Sequence, residues 1–245
     1  MERGINLTVI CYNLWDDAEQ RSDRIKWVYK NVIKPRPDII LLQEVSNATL
    51  MYLIEKLRKL GYKYAVSNKK RKRFELIATK YHIISHKFYG FSSSEHGAGL
   101  LLANLTIQGL NVTCAVTQLD SPDSRSFGQL MCVLKFLEDE SENVILGCDT
   151  AFHKIGAKLN DNWKDAWESA GKNKLAYYTF DAHHNKNLQS VDQDNSIRRD
   201  RVYYKGAFNE DVTYSFIGTE PVIKKNKVEL IQPSSHYGIK AILNM

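Results

Sequence analysis

At 245 residues, with a formal net charge of +6, 43% hydrophobic and 25% charged residues, the sequence has the size and composition of one soluble α/β domain, taken here as residues 1–245. No apolar run approaches the roughly 18 residues of a membrane span, and MERGINLTVICYNLW lacks the long apolar core and small-residue cleavage site of a secretory signal. The expectation is an intracellular protein of the nucleus or cytoplasm, monomeric, neither secreted nor membrane-bound, whose mild positive bias suits a polyanionic partner.

In chain order, INLTVICY (5–12) reads as a strand, and residues 18–34 place Ile25, Val28, Val32 and Ile33 at helical spacing. PRPDIILLQE punctuates the chain and opens a second strand. Residues 46–60 set Leu50, Leu53, Ile54, Leu57 and Leu60 on one helical face, with Gly61 as a stop. KYAVSNKKRKRFELIATK and GLLLANLTIQGLNVTCAV read as hairpins, the first with a charged loop and the second turning at QG. Residues 124–137 follow as a helix and NVILGCD as a buried strand. LAYYTFD, IRRDRVYYKG, DVTYSFI and HYGIKAILNM complete the strand series, and the polar stretch from His183 to Ser196 reads as a flexible loop. Trp163 and Trp167, four apart, predict one helix face packed on the core. Hairpins mixed with few helices argue for two packed sheets with helices outside. Cys11, Cys114, Cys132 and Cys148 form no C-x-x-C pair and read as reduced thiols, and the N-x-[ST] sequons at Asn6, Asn47, Asn104 and Asn111 read as chance matches.

Strand after strand ends on a residue able to bind a metal or a phosphate. The set is Asn13, Glu44, Asp149, Asp181, Asp200 and His236. A single strand-terminal Asp or Asn is ordinarily a turn residue or a cap. The ends of neighbouring strands converge, so a recurring set can line one pocket. The chemistry such a pocket supports is metal-assisted phosphoester hydrolysis: a hard cation on carboxylate oxygens, an Asp to orient and deprotonate water, and an Asp-supported His to donate to a phosphoryl oxygen. His183 and His184 beside Asp181 lack a third ligand at a recognisable spacing and are not read as a metal site.

These residues, in this order, resemble the endonuclease/exonuclease/phosphatase superfamily, and within it the 5′-tyrosyl-DNA phosphodiesterase family. CYNLWD is similar to the family's T-W-N, DIILLQEV to L-Q-E, GCDTAF to G-D-x-N and YTFDAHHN to T-W-D-T-x-x-N. RRDRVYY is similar to R-F-D-R-I, and SSHYGI to S-D-H-x-G-L. The resemblance implies a four-layer sandwich of two mixed sheets flanked by helices, with Mg²⁺ (or Mn²⁺) on Glu44. It implies catalytic roles for Asn13, Asp149, Asp200 and His236, and assisting roles for Gln118, Asp181 and Asn185. The implied substrate is DNA or protein-linked nucleic acid. An N-terminal ubiquitin-binding region found in the family is expected to be absent.

Three positions depart from the pattern. Ala151 stands where the family has the asparagine of G-D-x-N, Ser235 replaces the aspartate of S-D-H, and Gln118 stands for a histidine. Loss of one transition-state hydrogen bond costs about 10²–10³ in rate, with His153 and Thr150 as candidates to compensate. Two readings therefore stand: a hydrolase of weakened or altered catalysis, and an inactive member kept for binding nucleic acid or protein. Another phosphoesterase activity within the superfamily is a third. Candidate nucleic-acid contacts are the run Lys69, Lys70, Arg71, Lys72 and Arg73, which also reads as a solvated loop or a nuclear-localisation patch, and the strand residues Arg199 and Arg201. Alternation sends Arg199 and Arg201 to one face and Arg198 and Asp200 to the other.

Overall fold

The computed structural model describes residues 4–94, 97–121, 123–151, 161–191, 193–226 and 229–245. The strands are β1 (Asn6–Asn13), β2 (Ile39–Val45), β3 (Lys63–Val66), β4 (Phe74–Thr79), β5 (Ile83–Gly90), β6 (Gly99–Ile107) and β7 (Leu110–Gln118), followed by β8 (Asn143–Asp149), β9 (Lys164–Asp165), β10 (Asp200–Lys205), β11 (Thr213–Ile217), β12 (Ile223–Lys224), β13 (Leu230–Ile231) and β14 (Gly238–Asn244). The helices are α1 (Arg21–Val28), α2 (Asn47–Lys59), α3 (Asp123–Glu140) and the short α4 (Ala166–Ser169). Two six-stranded sheets form, in the orders β11-β14-β1-β2-β4-β3 and β5-β6-β7-β8-β10-β9, with β12 and β13 as a separate pair. Each large sheet is antiparallel except at one place: β1 runs parallel to β2, and β7 parallel to β8. β1 and β14, from opposite ends of the chain, are hydrogen-bonded neighbours.

The apolar pattern accounts for the layering. In β1, Val9 and Cys11 face the other sheet while Ile10 and Tyr12 face outward onto Ile25, Val28, Leu50 and Leu53 of α1 and α2. Both faces are apolar because both are covered. On the second sheet, Leu102, Ala115 and Leu146 take the outward face and pack on Leu130, Val133, Leu134 and Leu137 of α3. The result is helices, sheet, sheet, helix: an α/β sandwich of four layers. Gly147 lets the sheets close, since a Cβ there would lie 2.8 Å from Leu41 Cδ1 and 2.9 Å from Cys11 Sγ.

Local signals mostly act where the sequence places them. Ser46 caps α2 by accepting from the Thr49 N–H at 3.4 Å, and Gly61 ends it at φ +80°. The QG turn joins β6 to β7 with both residues left-handed, Gln108 at φ 49° and Gly109 at φ 80°. The predicted helix over 18–34 is shorter in its α part and finishes in a π-helical turn, Tyr29–Ile33.

Three expectations are corrected. LAYYTFD is not a strand: Lys174–Ala176 is a 3₁₀ turn, and Phe180 makes only an isolated bridge to Ile197. The His183–Ser196 loop contains 3₁₀ turns at Lys186–Leu188 and Gln193–Asn195 and is tied down, the Asn187 amide reaching the carbonyls of Gln232 and Ser234. Trp163 and Trp167 do not share a helix face. Trp163 precedes β9 and is buried under α3, whereas Trp167 sits in α4, four residues long because Asp165 caps its start and Gly171 (φ 88°) follows its end.

The cysteines are free thiols, with Cys11, Cys114 and Cys148 buried and Cys132 exposed. Among the described residues no helix is long and apolar enough to cross a membrane.

Candidate active site at the converging strand ends

The two parallel pairs bring polar residues to one end of the sandwich. In the first sheet, Asn13 is in register with Gln43, one residue before Glu44. In the second, Asp149 pairs with Gln118 on one side and Asp200 on the other. Three adjacent strands therefore present Gln118, Asp149 and Asp200 abreast.

Glu44 is thrown into the cleft by its backbone. The β2–β4 register shifts between Leu42 and Val45, and Glu44 adopts φ +54°. A left-handed non-glycine residue costs about 1–2 kcal/mol, the kind of strain found at functional positions. Asn13 is oriented by its own turn. Its Oδ1 accepts from the Trp15 N–H at 2.8 Å, so Nδ2 points to the acids and donates to Asp149 Oδ2 at 2.9 Å and Glu44 Oε1 at 3.3 Å. Gln118 Nε2 makes the same bridge from the other wall, at 2.9 Å to Glu44 Oε1 and 3.2 Å to Asp149 Oδ2. Glu44 Oε2 accepts from the Asp16 N–H at 3.0 Å and lies 3.3 Å from Arg73 Nη1. The second oxygen of Asp149 takes Arg199 Nε at 2.6 Å and the Ala151 N–H at 3.2 Å.

His236 completes the cleft. Its Nδ1 lies 2.8 Å from Asp200 Oδ2, its backbone N–H donates to Ser234 Oγ, and that hydroxyl donates to the Asn13 carbonyl at 2.8 Å. Phe180 packs edge-on against the imidazole, with ring centroids 5.4 Å apart. Asp149, Asp200 and His236 place potential ligand atoms within 4.8 Å of one another, all buried. Among the described residues Asp200 Oδ1 is buried without a hydrogen-bond partner.

Burial resists charge on Glu44 and Asp149, yet both carboxyls are held below the usual range. Gln118, the Asp16 amide, His236 and Arg73 do this for Glu44; Arg199 and His236 lead for Asp149. Burial likewise opposes protonation of His236, but the charge and hydrogen bond of Asp200, with Asp149 behind, raise it above the ordinary imidazole value. The centre is a set of ionised acids beside an imidazole biased toward its cationic form.

The other singled-out residues fall elsewhere. Asp181 accepts from the backbone of His183 and His184 and pairs with His184 Nδ1 at 2.9 Å, capping its own loop. Asn185 donates to the Ser234 carbonyl at 2.9 Å, so it braces the His236 loop from behind. Ser235 is buried. Thr150 cannot stand in for the missing asparagine, because its hydroxyl is committed to the Arg199 carbonyl at 2.7 Å. His153 lies outside the described residues.

Of the basic run, Lys69, Lys70 and Lys72 are exposed, Arg71 folds onto buried Glu75 at 2.9 Å, and Arg73 turns into the site. The expected face-sharing of Arg199 and Arg201 is not found. Regular pairing starts at Asp200, so Arg199 lies outside the alternation and follows Asp149. Arg201 is buried beside Asp165 at 3.5 Å, together with Arg198, and is shut off from a nucleic-acid backbone.

Other contributors carried no sequence signal. Arg24 is fully buried and donates to the carbonyls of Leu14, Trp15, Asp17, Glu19 and Pro233, fastening the loop after β1 to the loop before β14. Thr179 Oγ1 accepts from the backbone of Arg199 and Asp200. Nothing separates these from ordinary helix or loop residues by type.

A divalent cation suits this donor set. Oxygen ligands predominate, Glu44 and Asp149 are held toward their ionised forms, and among the described residues Asp200 Oδ1 has no hydrogen-bond partner.

The architecture is that of the endonuclease/exonuclease/phosphatase fold. A Bacteroides thetaiotaomicron protein of that family superposes with a TM-score of 0.78 at 17% identity, covering 99% of this chain and 96% of its own. The likeness to one branch is more specific. A Caenorhabditis briggsae 5′-tyrosyl-DNA phosphodiesterase is 31% identical over 254 aligned positions, covering 98% of this chain and 69% of the relative. The crystal structure of truncated Caenorhabditis elegans TDP2 superposes with a TM-score of 0.86 at 27% identity, covering 98% of both chains. The chain belongs to the 5′-tyrosyl-DNA phosphodiesterase family. No profile of a known protein family matches it.

Proposed function

We propose that this chain is a divalent-metal-dependent phosphodiesterase that hydrolyses a phosphoester at the end of DNA or in protein-linked nucleic acid. The observation that carries the reading is the bonded cluster Glu44–Asn13–Asp149–Gln118, closed by the Asp200–His236 pair at the ends of both sheets.

Glu44 would hold Mg²⁺ or Mn²⁺. Its competing guanidinium, Arg73, is 44% exposed, lies 3.3 Å away and is shared with Asp16. Asp149 instead grips Arg199 at 2.6 Å, and Asp200 grips His236. The bound ion would neutralise phosphate charge and polarise the phosphoryl oxygen.

The remaining steps belong to the side chains. Asp149, oriented by Asn13, takes a proton from water as the water oxygen bonds to phosphorus. The bond from phosphorus to the leaving oxygen breaks, and that oxygen departs as an alkoxide or phenolate and takes a proton from solvent. His236, biased toward its cationic form by Asp200, donates to a phosphoryl oxygen as negative charge builds there. Gln118 bridges Glu44 and Asp149 but carries no charge, and Ala151 supplies no side-chain donor. We therefore infer catalysis weaker than a full complement of family residues would give. Asn185 acts by bracing the loop that carries Ser234 and His236, and Asp181 by capping the loop that presents Asn185.

Our reading is of a single-domain enzyme, monomeric, in the nucleus or cytoplasm. The free thiols suit a reducing compartment, and the pairing of β1 with β14 makes the described residues one folded unit. Lys69, Lys70 and Lys72 are candidates to contact the nucleic-acid backbone.

The direct test is turnover of a 5′-phosphotyrosyl oligonucleotide with Mg²⁺, wild type beside Glu44→Ala. Activity that falls at least a hundredfold in the variant supports the reading. No turnover by wild type, with DNA binding intact and salt-sensitive, would make the chain a binding module on the same fold.

A further inference from the structure

We propose that Arg199 is a phosphate-binding residue of this site, contacting the phosphate at the processed nucleic-acid end and supplying the charge that Ala151 and Gln118 do not. The proposal rests on the functional reading above and names a residue that reading does not use.

Three observations carry it. First, the Arg199 backbone is fixed: its N–H donates to Thr179 Oγ1 at 3.0 Å, and its carbonyl accepts both the N–H and the hydroxyl of Thr150, at 2.9 and 2.7 Å. The guanidinium is thus delivered to a defined place. Second, only one corner of that group is used. Nε is bonded to Asp149 Oδ1, and no described residue accepts a hydrogen bond from its two terminal nitrogens. The side chain is 23% exposed, so the guanidinium beside Asp149 is not sealed off from solvent. Third, Arg199 and His236 share a wall. The guanidinium carbon lies 5.6 Å from the Phe180 ring centroid, and the imidazole packs against the same ring at 5.4 Å. The guanidinium and the imidazole therefore flank one aromatic side chain beside Asp149.

A planar fork with one corner anchored on a carboxylate and two donors free suits a phosphate, which accepts parallel N–H bonds. The carboxylate anchor is also the proposed acceptor of the water proton, which sets the phosphate beside the attacking group. Neither Thr150 nor a neutral amide at 118 can supply this charge.

The test uses the intact protein in EDTA, so that no metal contributes. Fluorescence anisotropy gives the affinity for one single-stranded oligonucleotide carrying either a 5′-phosphate or a 5′-hydroxyl. Wild type is expected to prefer the phosphate. Arg199→Gln should lose about tenfold or more of that preference while binding the 5′-hydroxyl strand unchanged. The salt dependence of phosphate-end binding should fall by roughly one contact, a slope of about 0.7. If the residue is only a structural partner of Asp149, the preference and slope stay as in wild type while thermal stability drops, and the proposal is overturned. Asp149→Asn frees the guanidinium and should sharpen the preference; it provides the measurement if Arg199→Gln does not fold, and an unchanged preference there counts against Arg199. Wild type that binds neither strand defeats the functional reading itself, whereas equal binding of both defeats only the assignment to Arg199.

Discussion

Two acid–arginine groups lie close together on the second sheet, and they differ in kind. In one, Asp165 is gripped by the fork of Arg198, with Nη1 to Oδ1 at 2.9 Å and Nη2 to Oδ2, while Arg201 stands 3.5 Å off. All three side chains are 5% exposed or less. Trp167 lies under Arg198, its centroid 4.7 Å from the guanidinium carbon, and Asp165 also caps α4. Burial pushes the Asp165 carboxyl up despite the two arginines. In the other, Asp149 is as deeply buried, but its arginine reaches solvent and bonds through Nε alone. The closed group ties β9, α4 and the start of β10 together. The open group leaves the terminal nitrogens of Arg199 without an acceptor among the described residues. The sequence RRDR contributes to both, with Arg198 and Arg201 inward and Arg199 to the site, and the sort is made by where regular strand pairing begins.

The sharpest way to break this comparison is to remove one arginine from each group. Arg198→Met leaves Asp165 buried with only the more distant Arg201 and the Trp167 N–H, and should cost about 3–5 kcal/mol, read as a lower denaturation midpoint at unchanged slope. Arg199→Gln leaves Asp149 with donors from Asn13, Gln118 and Ala151, and should cost about 1–2 kcal/mol. Equal losses would show that both arginines are staples and that openness has no energetic meaning.

The Asp200–His236 pair is buried like the first group and sits in the cleft like the second. Asp200→Asn removes the charge that outweighs burial at His236. The imidazole pKa, followed by NMR, should fall from its raised value, with a loss of about 1.5–3 kcal/mol near neutral pH and below. The sign follows from linkage: a raised folded pKa stabilises fully below the unfolded histidine value, and that gain disappears as pH rises through the folded value. Wild type should therefore lose stability across that window, while the variant's profile is flatter. An unmoved imidazole would place the source of its charge elsewhere.

The chain's legibility follows the same division. Apolar runs mark β1, β2, β8 and β14, and with them Asn13, Glu44 and Asp149 at strand ends and His236 just before a strand. Gln118 was visible as a departure, and the structure shows it bridging Glu44 and Asp149. The inward turn of Arg73 was not readable, since a loop arginine looks the same in sequence whether it faces water or Glu44. Nor was the Asp165–Arg198 pair, whose members are 33 residues apart with no shared pattern. LAYYTFD misleads because its aromatics suit a strand, while the backbone turns at Lys174–Ala176 and pairs only through the Phe180–Ile197 bridge.

The smallest effect concerns the backbone between the two groups. Ala151 sits at φ +56°, held by its N–H bond to Asp149 Oδ1. Alanine there carries about 1–2 kcal/mol of strain, whereas asparagine tolerates the left-handed region and glycine adopts it freely. Ala151→Gly should relieve the strain and lose part of the gain to unfolded-chain entropy, for a net stabilisation of about 0.5–1 kcal/mol. Ala151→Asn should gain less in stability but add an amide beside Asp149. The two variants separate backbone from side chain. A rate increase with asparagine alone assigns the deficit at this position to the absent amide. A matching increase with glycine assigns it to the set of the loop and leaves Asp149 already equipped by Asn13, Gln118 and Arg199. An unchanged rate in both, with stability raised, means that the position governs folding alone, and that the open acid–arginine pair carries its chemistry without help from residue 151.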